Sequence, residues 1–213
     1  MQNEKTSAQI DGMQSLIDKL GEQNFIRLTI ESSYFFDHEA VKKRFDEMVA
    51  LISKGEALPA RKSTVSDFDY IEDGNGNSNV CSTINRFCGY NLNQTLDKKP
   101  FINFIISHVW GNATAPTYFT ALWNIVLIPA WADHLMNKDE NSNLLSSRLK
   151  STFMAICHKL YDMEQMSWDK IPMQCPAIRK PMDIMYGSYT INIISHRPAP
   201  RQHGAIKKIT ITI

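Results

Sequence analysis

The chain has 213 residues, of which 43% are hydrophobic and 21% charged, with a formal net charge of +1. This composition is typical of one soluble globular domain, and the near-zero charge excludes the broad basic surface that nonspecific nucleic-acid binding requires. No run approaches the roughly 18 apolar residues of a membrane span, and no signal-peptide core follows the first methionine, so we expect a cytoplasmic protein without membrane contact.

The N-terminal section, residues 1–60, predicts a helix, a strand and a second helix. Apolar residues recur at helical spacing over 8–20, which favours the first helix. Apolar and polar residues then alternate over 24–34, and this alternation predicts a strand with one solvated face. Asp37 is placed to accept from free amides at the start of the second helix, which we expect to run to about Lys54.

Residues 61–100 are polar and predict an irregular, solvated segment. A calcium loop would need a closing bidentate glutamate, and no glutamate follows at the required position. The acidic residues of this segment could still supply a carboxylate to a site elsewhere in the fold; they are Asp67, Asp69, Glu72 and Asp73.

Residues 100–138 predict two strands followed by a helix. The β-branched and aromatic run 101–106 favours a buried strand, and His108 lies where this strand ends. A loop follows, and 124–128 form the second strand. Pro129 suits the first turn of a helix because it has no backbone amide to leave unpaired, so we expect a helix over 130–137.

The C-terminal section, residues 139–213, predicts a core helix over about 143–165 and an antiparallel hairpin formed by 188–194 and 205–213. Basic residues of this section could form a local phosphate-binding patch. The strongest candidates are Arg197, Arg201, Lys207 and Lys208, with Arg179 and Lys180 nearby in the sequence.

None of the four cysteines belongs to a Cys-x-x-Cys pair, so we expect no structural zinc. In a reducing compartment the cysteines would be free thiols. They are Cys81, Cys88, Cys157 and Cys175.

Four polar residues of the 100–138 segment are the candidates for its chemistry. His108 precedes Asn124 by sixteen residues, and the adjacent Asp133 and His134 follow Asn124 by nine and ten. With this spacing on strand, loop, strand and helix, the segment resembles the HNH endonuclease motif, also called the ββα-metal finger. The resemblance covers about residues 100–138.

The resemblance implies a division of roles. His108 would be the general base that takes a proton from water, which an imidazole can do near neutral pH. Asn124 would hold the histidine loop through backbone hydrogen bonds. Asp133 or His134 would bind a divalent cation, Mg²⁺ or Mn²⁺, that neutralises the scissile phosphate. Many members carry an acidic ligand immediately before the histidine, where this chain has Ser107, so a further carboxylate would have to come from Asp133 or the acidic segment.

We therefore predict an α+β protein of one domain, 1–213, with a ββα-metal finger embedded between helical and short antiparallel β segments. The predicted function is metal-dependent hydrolysis of phosphodiester bonds in DNA, of a restriction, phage-defence or mobile-element kind. A homodimer would suit cleavage of both strands. Two alternatives stay open: an inactive finger that binds nucleic acid or a protein, and a toxin-like RNase that acts on RNA loops.

Overall fold

The computed structural model describes residues 12–62, 70–74, 76–141 and 143–213. In these ranges the helices are α1 (Gly12–Leu20), α2 (Glu22–Ser32), α3 (His38–Ser53), α4 (Ser78–Cys88), α5 (Pro116–Phe119), α6 (Asp133–Asn137) and α7 (Leu144–Leu160). The strands are β1 (Tyr34–Phe36), β2 (Leu58–Ala60), β3 (Tyr70–Glu72), β4 (Phe104–His108), β5 (Ile125–Pro129), β6 (Ser188–Ile194) and β7 (Ile206–Thr212).

Five of the strands form one mixed sheet in the order β4-β5-β1-β6-β7. β1 pairs antiparallel with β5 and parallel with β6, and the β4–β5 and β6–β7 pairs are antiparallel. β2 and β3 form a separate parallel pair. The predicted α+β class is confirmed. The N-terminal section, the 100–138 segment and the C-terminal section all contribute to the large sheet. Strand β1 of the N-terminal section lies between β5 of the 100–138 segment and β6 of the C-terminal hairpin.

The two faces of the sheet pack against different elements. Phe35 of β1 contacts Phe153 of α7, with ring centroids 5.7 Å apart, so α7 covers the Phe35 face. The neighbouring Tyr34 points the other way and contacts Phe101 and Phe104 in edge-on geometry at 4.9 and 5.2 Å. The strand alternation therefore separates an α7 face from an aromatic face.

The strand predicted over 24–34 is wrong for most of its length, because Glu22–Ser32 is the helix α2. Its buried residues are Phe25, Ile26, Thr29 and Ile30, a helical spacing. Leu28, which the alternating pattern had placed inside, is 42% exposed. Thr29 can be buried because its hydroxyl donates to the Phe25 carbonyl at 2.9 Å. A polar residue on the buried face interrupts the apolar helical spacing, so the sequence did not indicate a helix.

The segment 61–100 is less irregular than predicted, since it contains β3 and the amphipathic helix α4. Asp73 is buried, and its carboxylate accepts from the Ser78 hydroxyl and the Asn79 amide at the start of α4. Glu72 ends β3 and is exposed. Asp67 and Asp69 lie outside the described residues.

The remaining predicted elements are confirmed within a few residues where the structure describes them, and residues 8–11 of the first predicted helix lie outside the described residues. Asp37 caps α3 by accepting from the Ala40 amide at 2.8 Å, and Asn143 caps α7 in the same way. α7 ends at Leu160, five residues before its predicted end. The hairpin pairs Ser188 with Thr212 and Ile194 with Ile206.

All four cysteines are free thiols, and three of them are buried. Burial raises the pKa of the Cys88 and Cys157 thiols far above the usual range, so both are inert packing groups. Through the described ranges, no helix has the length and apolar character that crossing a membrane would demand.

Candidate functional site

The ββα unit predicted around His108 is present. β4 and β5 pair antiparallel, with His108 opposite Ile125 and Phe104 opposite Pro129. After β5 the chain makes a 3₁₀ turn, Ala130–Ala132, and then forms the short helix α6. The loop between the strands is partly helical, since it contains α5 and a 3₁₀ turn at Leu122–Asn124.

Asn124 is completely buried at the start of β5, and every polar atom of its side chain has a backbone partner in the β4–β5 loop. Its Oδ1 accepts from the Trp110 amide at 2.8 Å. Its Nδ2 donates to the carbonyl oxygens of Gly111 and Tyr118, each at 3.1 Å. One amide group thus joins the start of the loop that follows His108 to α5, while its role in positioning a catalytic histidine stays a prediction.

The imidazole of His108 is fixed by Phe119, the last residue of α5. Its Nε2 lies 2.9 Å from the Phe119 carbonyl oxygen, and the two rings are stacked with centroids 5.7 Å apart. A carbonyl oxygen can only accept, so Nε2 carries the proton and donates it in this hydrogen bond. In the neutral ring Nδ1 is then the basic nitrogen.

Burial of the imidazole lowers the pKa of His108 below its usual 6.5. The hydrogen bond to Phe119 opposes this shift, and the positive charge of Arg61 adds to it. Both burial and Arg61 therefore keep His108 in the neutral form, which is the form able to accept a proton.

Arg61 is a site residue that the sequence pattern did not reveal. It follows β2, its backbone amide donates to the Ala113 carbonyl at 3.0 Å, and its guanidinium donates to Asn77 Oδ1 at 2.9 Å. These bonds hold an exposed cation beside the His108 loop. No local signal could have found it, because Arg61 precedes His108 by 47 positions and lies in no motif.

Helix α3 contacts the loop between β4 and β5 through Arg44, which is only 3% exposed. Arg44 Nε donates to the Thr120 carbonyl at 3.2 Å, directly after the residue that binds His108. Its guanidinium also pairs with Glu47, and Glu47 in turn pairs with Arg86 at 2.6 Å. Arg44 therefore anchors the residue that follows Phe119, and its guanidinium is itself held by the half-buried Glu47.

Asp133 and His134 lie on α6, which follows the Pro129 end of β5, and Pro129 pairs with Phe104 at the opposite end of β4 from His108. His108 lies on the same strand face as Phe104, which is the aromatic face of the sheet. Helix α6 is bonded to α7, because the Ser146 hydroxyl donates to the Leu135 carbonyl. Asp133 accepts from the Asn137 side chain at 3.0 Å, and His134 is exposed. The charged group that acts on the pKa of His108 is Arg61 rather than Asp133.

The predicted divalent-metal shell is not seen among the described residues. Within the described ranges no three His, Cys, Asp or Glu side chains are close enough together to hold a metal ion. Ser107, which stands where a metal-binding acid was expected, is buried on the strand face opposite His108. The assignment of Asp133 and His134 as ligands of Mg²⁺ or Mn²⁺ stays a prediction from the sequence.

The predicted basic patch lies away from His108. β7, which carries the exposed Lys207 and Lys208, is the sheet edge opposite β4, about 19 Å away at the usual strand spacing. Arg197 and Arg201 belong to the turn that joins β6 to β7. Arg179 and Lys180 both bind Glu140. The Arg179 guanidinium pairs with the Glu140 carboxylate at 2.7 Å, and the Lys180 amine donates to the Glu140 backbone carbonyl.

A family model described as "Uncharacterised protein PM1201" matches residues 2–186, which include the whole ββα unit and helix α7. Neither a curated protein nor a solved structure gives a match to the chain.

Proposed function

The chain belongs to the family described as Uncharacterised protein PM1201, and from the geometry of its ββα unit we propose that it is an HNH-type endonuclease that hydrolyses phosphodiester bonds in DNA. The observation that carries this proposal is the bonding of Asn124, whose buried amide ties the loop after His108 at Trp110, Gly111 and Tyr118. A side chain used in this way stabilises one conformation of the histidine loop.

His108 is the general base of the proposed reaction. Its Nε2–H is held by the Phe119 carbonyl, which orients the ring and leaves Nδ1 to take the proton of an attacking water. The lowered pKa keeps the base unprotonated at neutral pH. The water oxygen then forms the new bond to phosphorus, and the bond from phosphorus to one ester oxygen breaks.

Arg61 supplies positive charge next to the base. A guanidinium presents its donors in a planar fork that matches two phosphate oxygens, and its charge favours the additional negative charge of the transition state. Its hydrogen bond to Asn77 limits the positions that the side chain can occupy. We assign Arg61 the role of binding the scissile phosphate.

A divalent cation bound at such a site would act as a Lewis acid on the phosphate. Because Asp133 and His134 do not lie with His108, no step of the mechanism is assigned to them. The roles of His108, Asn124 and Arg61 follow from their own contacts.

The separation of α6 from His108 also favours a second candidate function, a finger that binds nucleic acid without cutting it. Calorimetry with Mn²⁺ and a cleavage assay distinguish the two functions. The endonuclease cuts plasmid DNA in the presence of Mg²⁺ or Mn²⁺, and the binding module retains DNA without cutting it and takes up no Mn²⁺.

The cleavage assay should use supercoiled plasmid and a structured RNA in parallel. We expect nicked and then linear plasmid from the wild-type protein, with loss of cleavage in Arg61→Ala. Cleavage of the RNA alone would instead assign the protein to the RNases. Lys62→Ala is the matched control for Arg61, because Lys62 is the next residue and is also exposed.

A further inference from the structure

A cavity of about 240 Å³ borders the aromatic face of the β4 strand. We call it the Phe101 cavity. Its apolar walls include Phe101, Phe104 and Ile106, and its polar walls include Asn77, Asn93 and Lys99. The cavity is smaller than the roughly 300–1,000 Å³ of sites for drug-sized ligands, so it suits a single ring system.

The charge of the Phe101 cavity favours a neutral or anionic ligand. None of the described residues that line it is an aspartate or glutamate, and Lys99 is exposed at its wall. The cation is close to the buried Cys81: burial raises the pKa of this thiol, Lys99 opposes the rise, and the negative charge of Asp73 adds to it. The two asparagine amides offer donors and acceptors of the kind that bind the edges of bases.

One wall residue of the Phe101 cavity contacts Arg61, and another lies on the strand face of His108. Asn77 lines the cavity and also accepts the hydrogen bond of the Arg61 guanidinium. Ile106, another wall residue, lies two positions before His108 on the same strand face, a separation of about 7 Å. The cavity therefore lies near both Arg61 and His108.

We propose that the Phe101 cavity binds one unstacked base of a nucleic-acid strand, with Lys99 on an adjoining phosphate. The proposal rests on the proposed nuclease function for the identity of the ligand. Aromatic walls bind bases through stacking that every base permits, whereas a stacked base inside a duplex cannot enter a cavity of this size. The nuclease would accordingly prefer strands with an unpaired base near the cut.

Fluorescence anisotropy in EDTA tests this proposal without cleavage. The probes are a labelled single-stranded DNA 12-mer and the same backbone with abasic sites throughout. The test variant is Asn93→Trp, which replaces a wall residue of the cavity with a large ring, and its matched control is Gln94→Trp at the next exposed position. Equal melting temperatures show that both variants fold.

We expect the wild-type protein and Gln94→Trp to bind the base-bearing strand about 5- to 100-fold more tightly than the abasic strand. Asn93→Trp should lose that preference. Lys99→Ala should reduce the slope of log K against log salt by about 0.7, as expected for one phosphate contact on a single strand, while Lys98→Ala leaves it unchanged.

An unchanged preference in Asn93→Trp would overturn the cavity assignment. This failure is distinct from failure of the nuclease function. If the cavity assignment alone is wrong, plasmid is still cut and His108→Ala still abolishes cutting. If the nuclease function alone is wrong, no plasmid is cut and Asn93→Trp still removes the preference for bases.

Discussion

The imidazole of His108 and the ring of Phe119 are nearly parallel, at 15°, and the Phe119 carbonyl oxygen lies 2.9 Å from His108 Nε2. One residue therefore fixes both the plane of the imidazole and the nitrogen that carries its proton. The remaining nitrogen, Nδ1, becomes the base. Phe119 follows Tyr118, whose carbonyl accepts from Asn124, so the residue that orients His108 is itself held by Asn124.

The acid limb of the pH–activity profile should report His108. Burial lowers the pKa of this imidazole from 6.5, so the inflection of kcat/KM on the acid side should lie below pH 6.5. Initial rates of plasmid nicking between pH 4.5 and 8 give the inflection. An inflection at or above pH 6.5 would contradict the role of His108 as a neutral, buried base.

The stability of the fold should depend on the same group. The pKa of His108 is lower in the folded protein than its usual 6.5 in the unfolded chain. Between these two pKa values the unfolded chain binds more protons than the folded protein. The free energy of unfolding should therefore decrease as pH falls from about 6.5 through the lowered pKa. His108→Gln should lose less stability than the wild-type protein over that interval. Urea unfolding at several pH values measures the difference, and equal losses would contradict it.

Substitution of Asn124 should destabilise the protein. Asn124→Ala removes three hydrogen bonds and leaves the buried amide of Trp110 without its acceptor, which should lower the free energy of unfolding by about 2–4 kcal/mol. Asn137→Ala is the control, because its amide is exposed and its loss should change stability by less than about 0.5 kcal/mol. Equal urea midpoints for the two variants would show that Asn124 does not hold the loop.

Arg44 should matter for the fold and for the site together. Arg44→Leu leaves the Thr120 carbonyl without its donor and Glu47 with only one partner, and we expect a loss of about 2–4 kcal/mol in unfolding free energy. Lys42→Ala breaks an exposed pair with Asp46 and should cost about 0–1 kcal/mol. Thermal unfolding distinguishes these outcomes, and a stable Arg44→Leu protein would contradict the first.

Asp133 and His134 should be dispensable for cleavage. Their helix α6 follows the Pro129 end of β5, which pairs with the end of β4 opposite His108, so Asp133→Asn and His134→Ala should retain plasmid nicking within about twofold. Nicking rates at a fixed Mn²⁺ concentration test this expectation. A loss of cleavage in folded variants would show that α6 supplies the metal ligands, as the sequence spacing predicts.

The sequence was sufficient to predict the ββα order, because the apolar runs of β4 and β5 are flanked by a histidine, an asparagine and a proline that each suit one boundary. It was insufficient for α2, where period-2 alternation of Ile26, Leu28 and Ile30 coincides with a helix whose buried face includes Thr29. The contacts of Thr29 depend on the backbone of its own helix, which the pattern of apolar residues does not encode.

The site was predictable only in part for a similar reason. The roles of His108 and Asn124 follow from local order along one hairpin. Arg61 joins them through contacts with Ala113 and Asn77, which bring together segments far apart in the sequence. The pairing of β5 with β1 and of β1 with β6 likewise joins segments that are far apart in the sequence. Residue spacing within 100–138 could therefore not predict where α6 lies relative to the sheet.

The rate of plasmid nicking by His108→Ala, compared with the wild-type protein at equal Mn²⁺ and equal melting temperature, tests the central claim most directly. General-base catalysis contributes about 10²- to 10⁴-fold, so the variant should be at least 100-fold slower, while His203→Ala, an exposed histidine elsewhere, should cut at the wild-type rate. Equal rates for His108→Ala and the wild-type protein would contradict the account.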